Sequence, residues 1–176
     1  MNLILLGGNS IENKHWLHNF SAVLNMHFAS IYTHEYRHWE RGEQRIDLDY
    51  ELDALSKVIS LEQPYTIVAK SAGVLVTVKG IAEKVLQPKT CVFIGTPTKW
   101  GKAQGFDVDT WFQDYLLPTL FIQQSHDPAM SFSELTQYLL QKEAKNYLLS
   151  DIPGDDHVYG NLDSLGNAIN NFIKHT

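Results

Sequence analysis

The sequence predicts an α/β fold: a three-layer α/β/α sandwich whose mostly parallel sheet has about six strands. Short apolar runs alternate along the chain with longer stretches of helical period. Strands that are joined through helices form a parallel sheet that is covered on both faces. The length of 176 residues fits one domain, 1–176, and no internal repeat or linker divides it.

The predicted elements follow one another in chain order. Apolar runs predict strands at 2–6, 29–33, 65–69, 90–94, 119–123 and 146–149. Apolar residues at helical spacing predict helices at 13–27, 47–61, 72–85, 131–141 and 162–173, with a shorter pattern at 110–117. The 47–61 helix has acidic residues in its first turn, where the helix dipole favours negative charge.

Composition and charge exclude several classes of protein. With 44% hydrophobic and 19% charged residues, the chain is typical of a folded protein. The net charge is −6 and no basic cluster occurs, so no nucleic-acid partner is expected. Cys91 is the only cysteine and lies in an apolar run that predicts a buried, unreactive thiol. The first six residues lack the features of a signal peptide or membrane helix, so we expect a cytoplasmic protein without membrane association.

A serine between a strand and a helix marks the predicted site of chemistry. In the segment 67–74, Ser71 stands between the small residues Ala69 and Gly73. This is close to the pattern G-x-S-x-G, in which a strained turn exposes the serine at the sheet edge. The same turn directs the first amides of the helix at the reacting carbonyl. The alternative, that Ser71 only caps the helix, stays open on this segment alone.

A carboxylate and a histidine follow in the chain order of a catalytic triad. Asp127 comes after the fifth predicted strand, and His157 lies in a glycine-containing loop after the sixth. The carboxyl ends of parallel strands meet at one edge of the sheet, which brings both residues near Ser71. Asp155 and Asp156 compete with Asp127 as the partner of His157. We expect Asp127, because it approaches the imidazole from another strand end.

The turn after the first strand predicts the oxyanion side of the site. The amide of Ala72 is one expected donor, and the amide of Asn9, after Gly7-Gly8, is the other. A plain flexible turn is the alternative at Gly7-Gly8. The glycine patterns of phosphate-binding and dinucleotide-binding loops are absent from the sequence.

These residues resemble the α/β-hydrolase superfamily over nearly the whole chain. The matching positions are Gly8, Ser71, Asp127-Pro128 and His157. The size of the chain is similar to that of the compact, lidless serine hydrolases of the retinoblastoma-binding-protein-nine type. The resemblance implies a cofactor-free enzyme that cleaves a small ester, thioester or amide through an acyl-enzyme.

Four residues are expected to contact the small acyl substrate: Gly8, Lys70, Trp100 and Trp111. Lys70 stands directly before the nucleophile, where the resembled family often has a histidine, and it would change the charge near the pocket. The two tryptophans lie at 97–117, where larger relatives insert a lid. Only about twenty residues are available there, which is enough for a short helix but not for a cap domain. We therefore expect a shallow, open site that favours short acyl groups.

Two alternatives compete with the hydrolase prediction. Four histidines have spacings that could share a helix face, namely His15, His18, His34 and His38. No carboxylate or cysteine joins them in a recognised zinc pattern, so no metal is expected. The other alternative is a binding or regulatory protein that kept the fold and lost turnover. The presence of all three triad residues favours the enzyme, because a binding protein needs none of them.

Overall fold

The structure, a computed structural model, describes residues 2–25, 28, 30–59 and 63–175. Within them, six strands form one sheet in the order β2-β1-β3-β4-β5-β6, with every neighbouring pair parallel. The strands are β1 (Asn2–Leu6), β2 (Ser30–His34), β3 (Tyr65–Lys70), β4 (Thr90–Ile94), β5 (Thr119–Gln124) and β6 (Tyr147–Ile152). The predicted sheet is confirmed.

Helices cover both faces of this sheet. They are α1 (Glu12–Leu24), α2 (Arg37–Arg41), α3 (Leu48–Val58), α4 (Ala72–Ala82), α5 (Thr98–Ala103), α6 (Val108–Trp111), α7 (Phe132–Gln141) and α8 (Leu162–Lys174). They form two packed groups, α1 with α8, and α4 with α3 and α6. This arrangement confirms the predicted three layers. None of the helices in the described ranges is long and apolar enough to span a membrane.

Burial is greatest in the middle of the sheet. Every residue of β3, β4 and β5 is buried, because helices cover both faces of these strands. Cys91 lies in β4 and is fully buried, as predicted. Burial raises the pKa of its thiol to about 12, which keeps it protonated and unreactive. The edge strand β6 is only partly buried.

Several element boundaries differ from the predicted ones. The second strand is shifted to Ser30–His34, and the sixth continues to Ile152 instead of ending at residue 149. Helix α4 stops at Ala82, because Lys84 takes a left-handed φ of 59°. Helices α1 and α3 end at Leu24 and Val58. The predicted positions 27, 29 and 61 lie outside the described residues.

The short helices differ most from the prediction. Helices α2 and α5 were not predicted, because five or six residues are too few to show a helical period. The short pattern at 110–117 is helical only at its start, because α6 ends at Trp111 and the chain turns at Asp114 with a φ of 53°. Helices α5 and α6 occupy the segment 97–117 and lie beside the carboxyl edge of the sheet.

Candidate active site

Ser71 occupies a strained turn between β3 and α4. Its backbone angles, φ 51° and ψ −117°, lie in a region that residues with side chains rarely adopt. The turn also needs Gly73, because a Cβ atom there would lie 2.7 Å from Leu6 Cβ and 2.9 Å from Gly7 O. The Ser71 amide donates a hydrogen bond of 2.9 Å to Ile94 O of β4. Together these contacts hold the serine at the end of β3.

The imidazole of His157 lies between Ser71 and Asp127. Its Nε2 atom is 2.9 Å from Ser71 Oγ, and its Nδ1 atom is 2.7 and 2.9 Å from the two Asp127 oxygens. A carboxylate can only accept, so Nδ1 carries the hydrogen of the neutral ring. Nε2 is then free to accept the Ser71 hydroxyl hydrogen. A base in this tautomer can activate a serine hydroxyl.

Asp127 is buried and accepts hydrogen bonds from three donors. The Nδ1 hydrogen of His157 is shared between its two oxygens, Oδ1 also accepts from Ala129 N at 2.8 Å, and Oδ2 also accepts from Tyr159 OH at 2.6 Å. Burial by itself would raise the pKa of this carboxyl. The hydrogen bonds and charge of His157, with those from Tyr159 and Ala129, outweigh burial and lower the pKa. The carboxyl is therefore ionised at neutral pH and accepts the Nδ1 hydrogen of His157.

Asp156 has other partners than the His157 ring. Its Oδ1 atom accepts from Gln124 Nε2 and from Val158 N, both at 2.8 Å. The hydrogen bond from Gln124, followed by that from Val158, lowers the pKa of Asp156. Gln124 Oε1 in turn accepts from the amides of Asp156 and His157, at 3.1 and 3.0 Å. Gln124, at the end of β5, thus fixes the loop that carries the base.

The turn after β1 packs against the start of α4. Gly7 O accepts from Gly73 N at 3.0 Å, and Ala72 N is the first amide of α4, with no helix carbonyl one turn before it. Asn9 lines the same cavity as Ser71. Its side chain is used elsewhere, because Oδ1 accepts from Ile46 N and Nδ2 donates to Gln44 O, both at 2.9 Å. The side chain of Asn9 is therefore held within the protein, and its main-chain amide stays the predicted oxyanion donor.

The cavity at Ser71 and His157 has a volume of about 560 Å³. Its apolar wall comes from residues before and within α5 and from the turn after Asp127. Its polar wall comes from the turn after β1 and the start of α1. The lining residues besides Ser71 and His157 are Asn9, Ser10, Asn13, Pro97, Lys99, Trp100, Ala103, Pro128 and Ala129. Trp100 is thus placed at the cavity, where the sequence predicted it.

Trp111 does not line this cavity, although the sequence predicted it as a substrate contact. It lines a separate cavity of about 480 Å³ together with Phe106, Lys79 and residues of α3. Lys79 Nζ is 5.7 Å from the centre of the Trp111 ring. The reason is the packing of α6 against α4, which directs Trp111 away from the sheet edge.

Lys70, also predicted as a substrate contact, does not line the Ser71 cavity. Alternate residues of a strand point to opposite faces, and Lys70 extends beneath the His157 loop towards α1. Its Nζ atom donates to Asn13 Oδ1 at 2.6 Å and lies 5.2 Å from the Trp16 ring centre. Lys70 and His157 line a smaller cavity of about 250 Å³. Burial lowers the pKa of Lys70 to about 8, although the charges of Asp127 and Asp156 oppose the shift.

Gly8, the third of these predicted residues, is not among those that line the Ser71 cavity. A Cβ atom at Gly8 would lie 2.7 Å from Asn13 Oδ1. Glycine at this position therefore permits the close approach of the turn to α1.

Three of the four histidines that suggested a metal site have different neighbours. His18 pairs with Glu35 at 2.8 Å, His34 with Glu51 at 2.9 Å, and His38 Nε2 lies 2.6 Å from Asn9 O. Among the residues that the structure describes, no group of three or more His, Cys, Asp or Glu side chains could hold a metal ion.

Solved structures of the same fold are available for comparison. The chain superposes over 100% of its length on the CarC enzyme, a serine hydrolase involved in carbazole degradation, covering 92% of that chain with a TM-score of 0.75 and 14% identity. A protein described as a YdeN-like hydrolase from Pectobacterium atrosepticum superposes with a TM-score of 0.70 and 19% sequence identity. That match covers 99% of this chain and 91% of the other. A cold-adapted esterase from an Arctic intertidal metagenomic library superposes with a TM-score of 0.69 and 15% sequence identity. That match covers 99% of this chain and 82% of the esterase.

These similarities show that the chain has the α/β-hydrolase fold. The sheet of six parallel strands between helix layers is the architecture that these proteins share with it. No protein-family model matches the sequence, and no curated protein matches it either.

Proposed function

We propose that this protein is a serine hydrolase that cleaves a small ester, thioester or amide. The observation that carries the proposal is the chain of contacts from Ser71 Oγ to His157 and from His157 to Asp127. A hydroxyl, a base and a buried carboxylate in this order are what activation of a serine requires. The serine hydrolase and the esterase with the same fold support the proposal by analogy.

In the proposed acylation step, Ser71 Oγ attacks the carbonyl carbon and its hydrogen passes to His157 Nε2. The carbonyl π electrons move to the oxygen, which the amides of Ala72 and Asn9 stabilise. As the intermediate collapses, Nε2 returns the proton to the leaving group, and the bond from the carbonyl carbon to that group breaks. Water then attacks the acyl-enzyme in the same way, and Ser71 regains its hydrogen.

The cavity supports a small acyl substrate. Its apolar wall includes Pro97, Trp100 and Ala103, which belong to the start and body of the short helix α5. We also propose that the protein is similar to the lidless serine hydrolases of the retinoblastoma-binding-protein-nine type and that it acts without a cofactor. The cytoplasmic location expected from the sequence stays a prediction.

The nucleophile is tested with a fluorophosphonate probe, which forms a Ser–O–P bond with an activated serine and releases fluoride. The wild-type protein is expected to be labelled and to hydrolyse p-nitrophenyl acetate faster than the octanoate. Ser71→Ala should lose both labelling and hydrolysis while its circular dichroism is unchanged. A matched control is Ser56→Ala, which changes a serine on α3 whose hydroxyl bonds Asp53 O.

Two outcomes count against the proposal. Undiminished labelling of Ser71→Ala would remove this serine from the mechanism. A wild-type protein that is neither labelled nor active on any ester, thioester or amide of a broad panel would favour the alternative, a binding or regulatory protein of the same fold.

A further inference from the structure

The Asn9 amide lies between two peptide groups whose carbonyls are both fixed. On one side, Gly7 O accepts from Tyr36 OH at 2.9 Å and from Gly73 N at 3.0 Å. On the other side, Asn9 O accepts from His38 Nε2 at 2.6 Å and from Trp39 Nε1 at 3.0 Å. The Asn9 N–H belongs to the planar peptide between these two. With both neighbouring planes fixed, the direction of this N–H has little freedom.

The contact of His38 determines its tautomer. A carbonyl oxygen only accepts hydrogen bonds, so Nε2 of His38 carries the hydrogen and Nδ1 of the neutral ring carries none. That Nδ1 atom is buried and has no hydrogen-bond partner among the described residues. An unpaired buried nitrogen lowers stability, and an apolar side chain would fill this space without that loss. Packing alone therefore does not account for a histidine here, whereas the bond to Asn9 O does.

Helix α2, which carries His38 and Trp39, is itself attached to the interior. Its first amide, Arg37 N, donates to Glu51 Oε1 at 2.9 Å, and the other oxygen of Glu51 contacts His34 Nε2 at 2.9 Å. Glu51 and His34 are both buried, on α3 and β2 respectively. The donors to Asn9 O are therefore held by the sheet and by α3, not by a free loop.

We propose that His38 and Trp39 are positioning residues that hold the Asn9 amide in the oxyanion hole. This inference rests on the proposed hydrolase function. The pair fixes the Asn9–Ser10 peptide, while the bond from Gly73 N to Gly7 O ties the same turn to α4 and so to the Ala72 amide. The two amides are thereby kept at a constant separation. Donors fixed before the reaction stabilise a developing oxyanion without having to reorganise.

The test removes the two ring donors while keeping apolar volume. In the double variant His38→Met/Trp39→Phe, kcat for p-nitrophenyl acetate should fall about 100-fold, the size of losing one oxyanion donor, and KM should change less than about threefold. The Ki of a trifluoromethyl ketone, which adds to the serine as an oxyanion hemiketal, should rise by the same factor as kcat/KM falls. His38→Gln, which keeps an N–H donor at the position of Nε2, should stay within about threefold of the wild type.

Tyr138→Phe is the matched control, because it removes another buried hydrogen bond from an aromatic side chain to a backbone carbonyl, Tyr138 OH to Val108 O at 3.2 Å. It should lower the urea midpoint as the double variant does, but leave the ketone Ki unchanged. If the double variant does not fold, Trp39→Phe alone is measured and should still raise Ki and lower kcat/KM in parallel. An unchanged Ki in the folded variants overturns the inference while the wild type remains active. An inactive and unlabelled wild type overturns the proposed function instead.

Discussion

The two sides of the Ser71 cavity are built by different kinds of contact. On the side of β5 and β6, Asp127 and His157 are placed by hydrogen bonds of 2.6 to 2.9 Å. On the side of 97–117, Trp100 is placed by packing, with its ring centre 6.2 Å from that of Phe106. Hydrogen bonds constrain direction, whereas apolar packing constrains mainly volume. Chemistry should therefore depend on the first side and substrate preference on the second.

The largest effect is expected on the hydrogen-bonded side. Asp127→Asn should leave the fold intact and lower kcat for p-nitrophenyl acetate about 10⁴-fold, because an amide holds His157 in the wrong tautomer. The kinetics are measured together with circular dichroism, which separates this loss from unfolding.

Asp156→Asn and Asp155→Asn are the matched changes in the neighbouring loop. Each should lower kcat about tenfold or less, because Asp156 contacts Gln124 and Val158 and affects His157 only through the loop. A severe loss in Asp156→Asn with a mild one in Asp127→Asn would reverse the assignment of the acid, although the proposed hydrolase would stand.

The sequence predicts those parts of the site that depend on strand ends. Ser71, Asp127 and His157 each follow a strand, and a parallel sheet brings such positions to one edge whatever the intervening helices do. Order along the chain was therefore enough to place the three residues beside one another. The same reasoning placed the turn after β1 near α4.

The remaining parts depend on contacts between elements far apart in the chain. Gln124 contacts residues about thirty positions later, and nothing in its own neighbourhood distinguishes it from other polar residues. Tyr159 was missed for the same reason. The orientation of Trp111 depends on the packing of α6, which a four-residue helix does not reveal in its sequence.

A smaller effect is expected from Lys70, whose buried ammonium lies in the neighbouring cavity beside α1. It is 4% exposed, and burial lowers its pKa from 10.5 to about 8. Below pH 8 the ammonium is charged in both the folded and the unfolded chain, and the folded state bears the cost of burying it. Between pH 8 and 10.5 the folded state loses this proton first, so the unfolded state binds more protons and the contribution to stability rises with pH.

Lys70→Met should remove this pH dependence. Between pH 8 and 10.5 the wild type is expected to gain free energy of unfolding relative to the variant, on the order of 3 kcal/mol if the whole shift is realised. Urea unfolding of both proteins at pH 7, 8, 9 and 10 measures the difference. If the free energies of unfolding of the two proteins changed in parallel with pH, burial would not lower the pKa of Lys70 in the folded protein.

On the packed side the expected change is in substrate preference, and Trp100 and Trp111 provide an internal comparison. Trp100 lines the Ser71 cavity, and Trp111 lines the separate cavity near Lys79. Trp100→Ala should lower kcat/KM for p-nitrophenyl butyrate about tenfold. It should also reduce the ratio of kcat/KM for butyrate to that for longer esters, because removal of the ring enlarges the cavity. Trp111→Ala removes the same ring from another place and should change kcat/KM less than about twofold. If both substitutions changed the ratio of butyrate to octanoate hydrolysis equally, the segment 97–117 would act as one packed unit. Lining the Ser71 cavity would then not explain the effect of Trp100, and the comparison between the two sides of the cavity would fail.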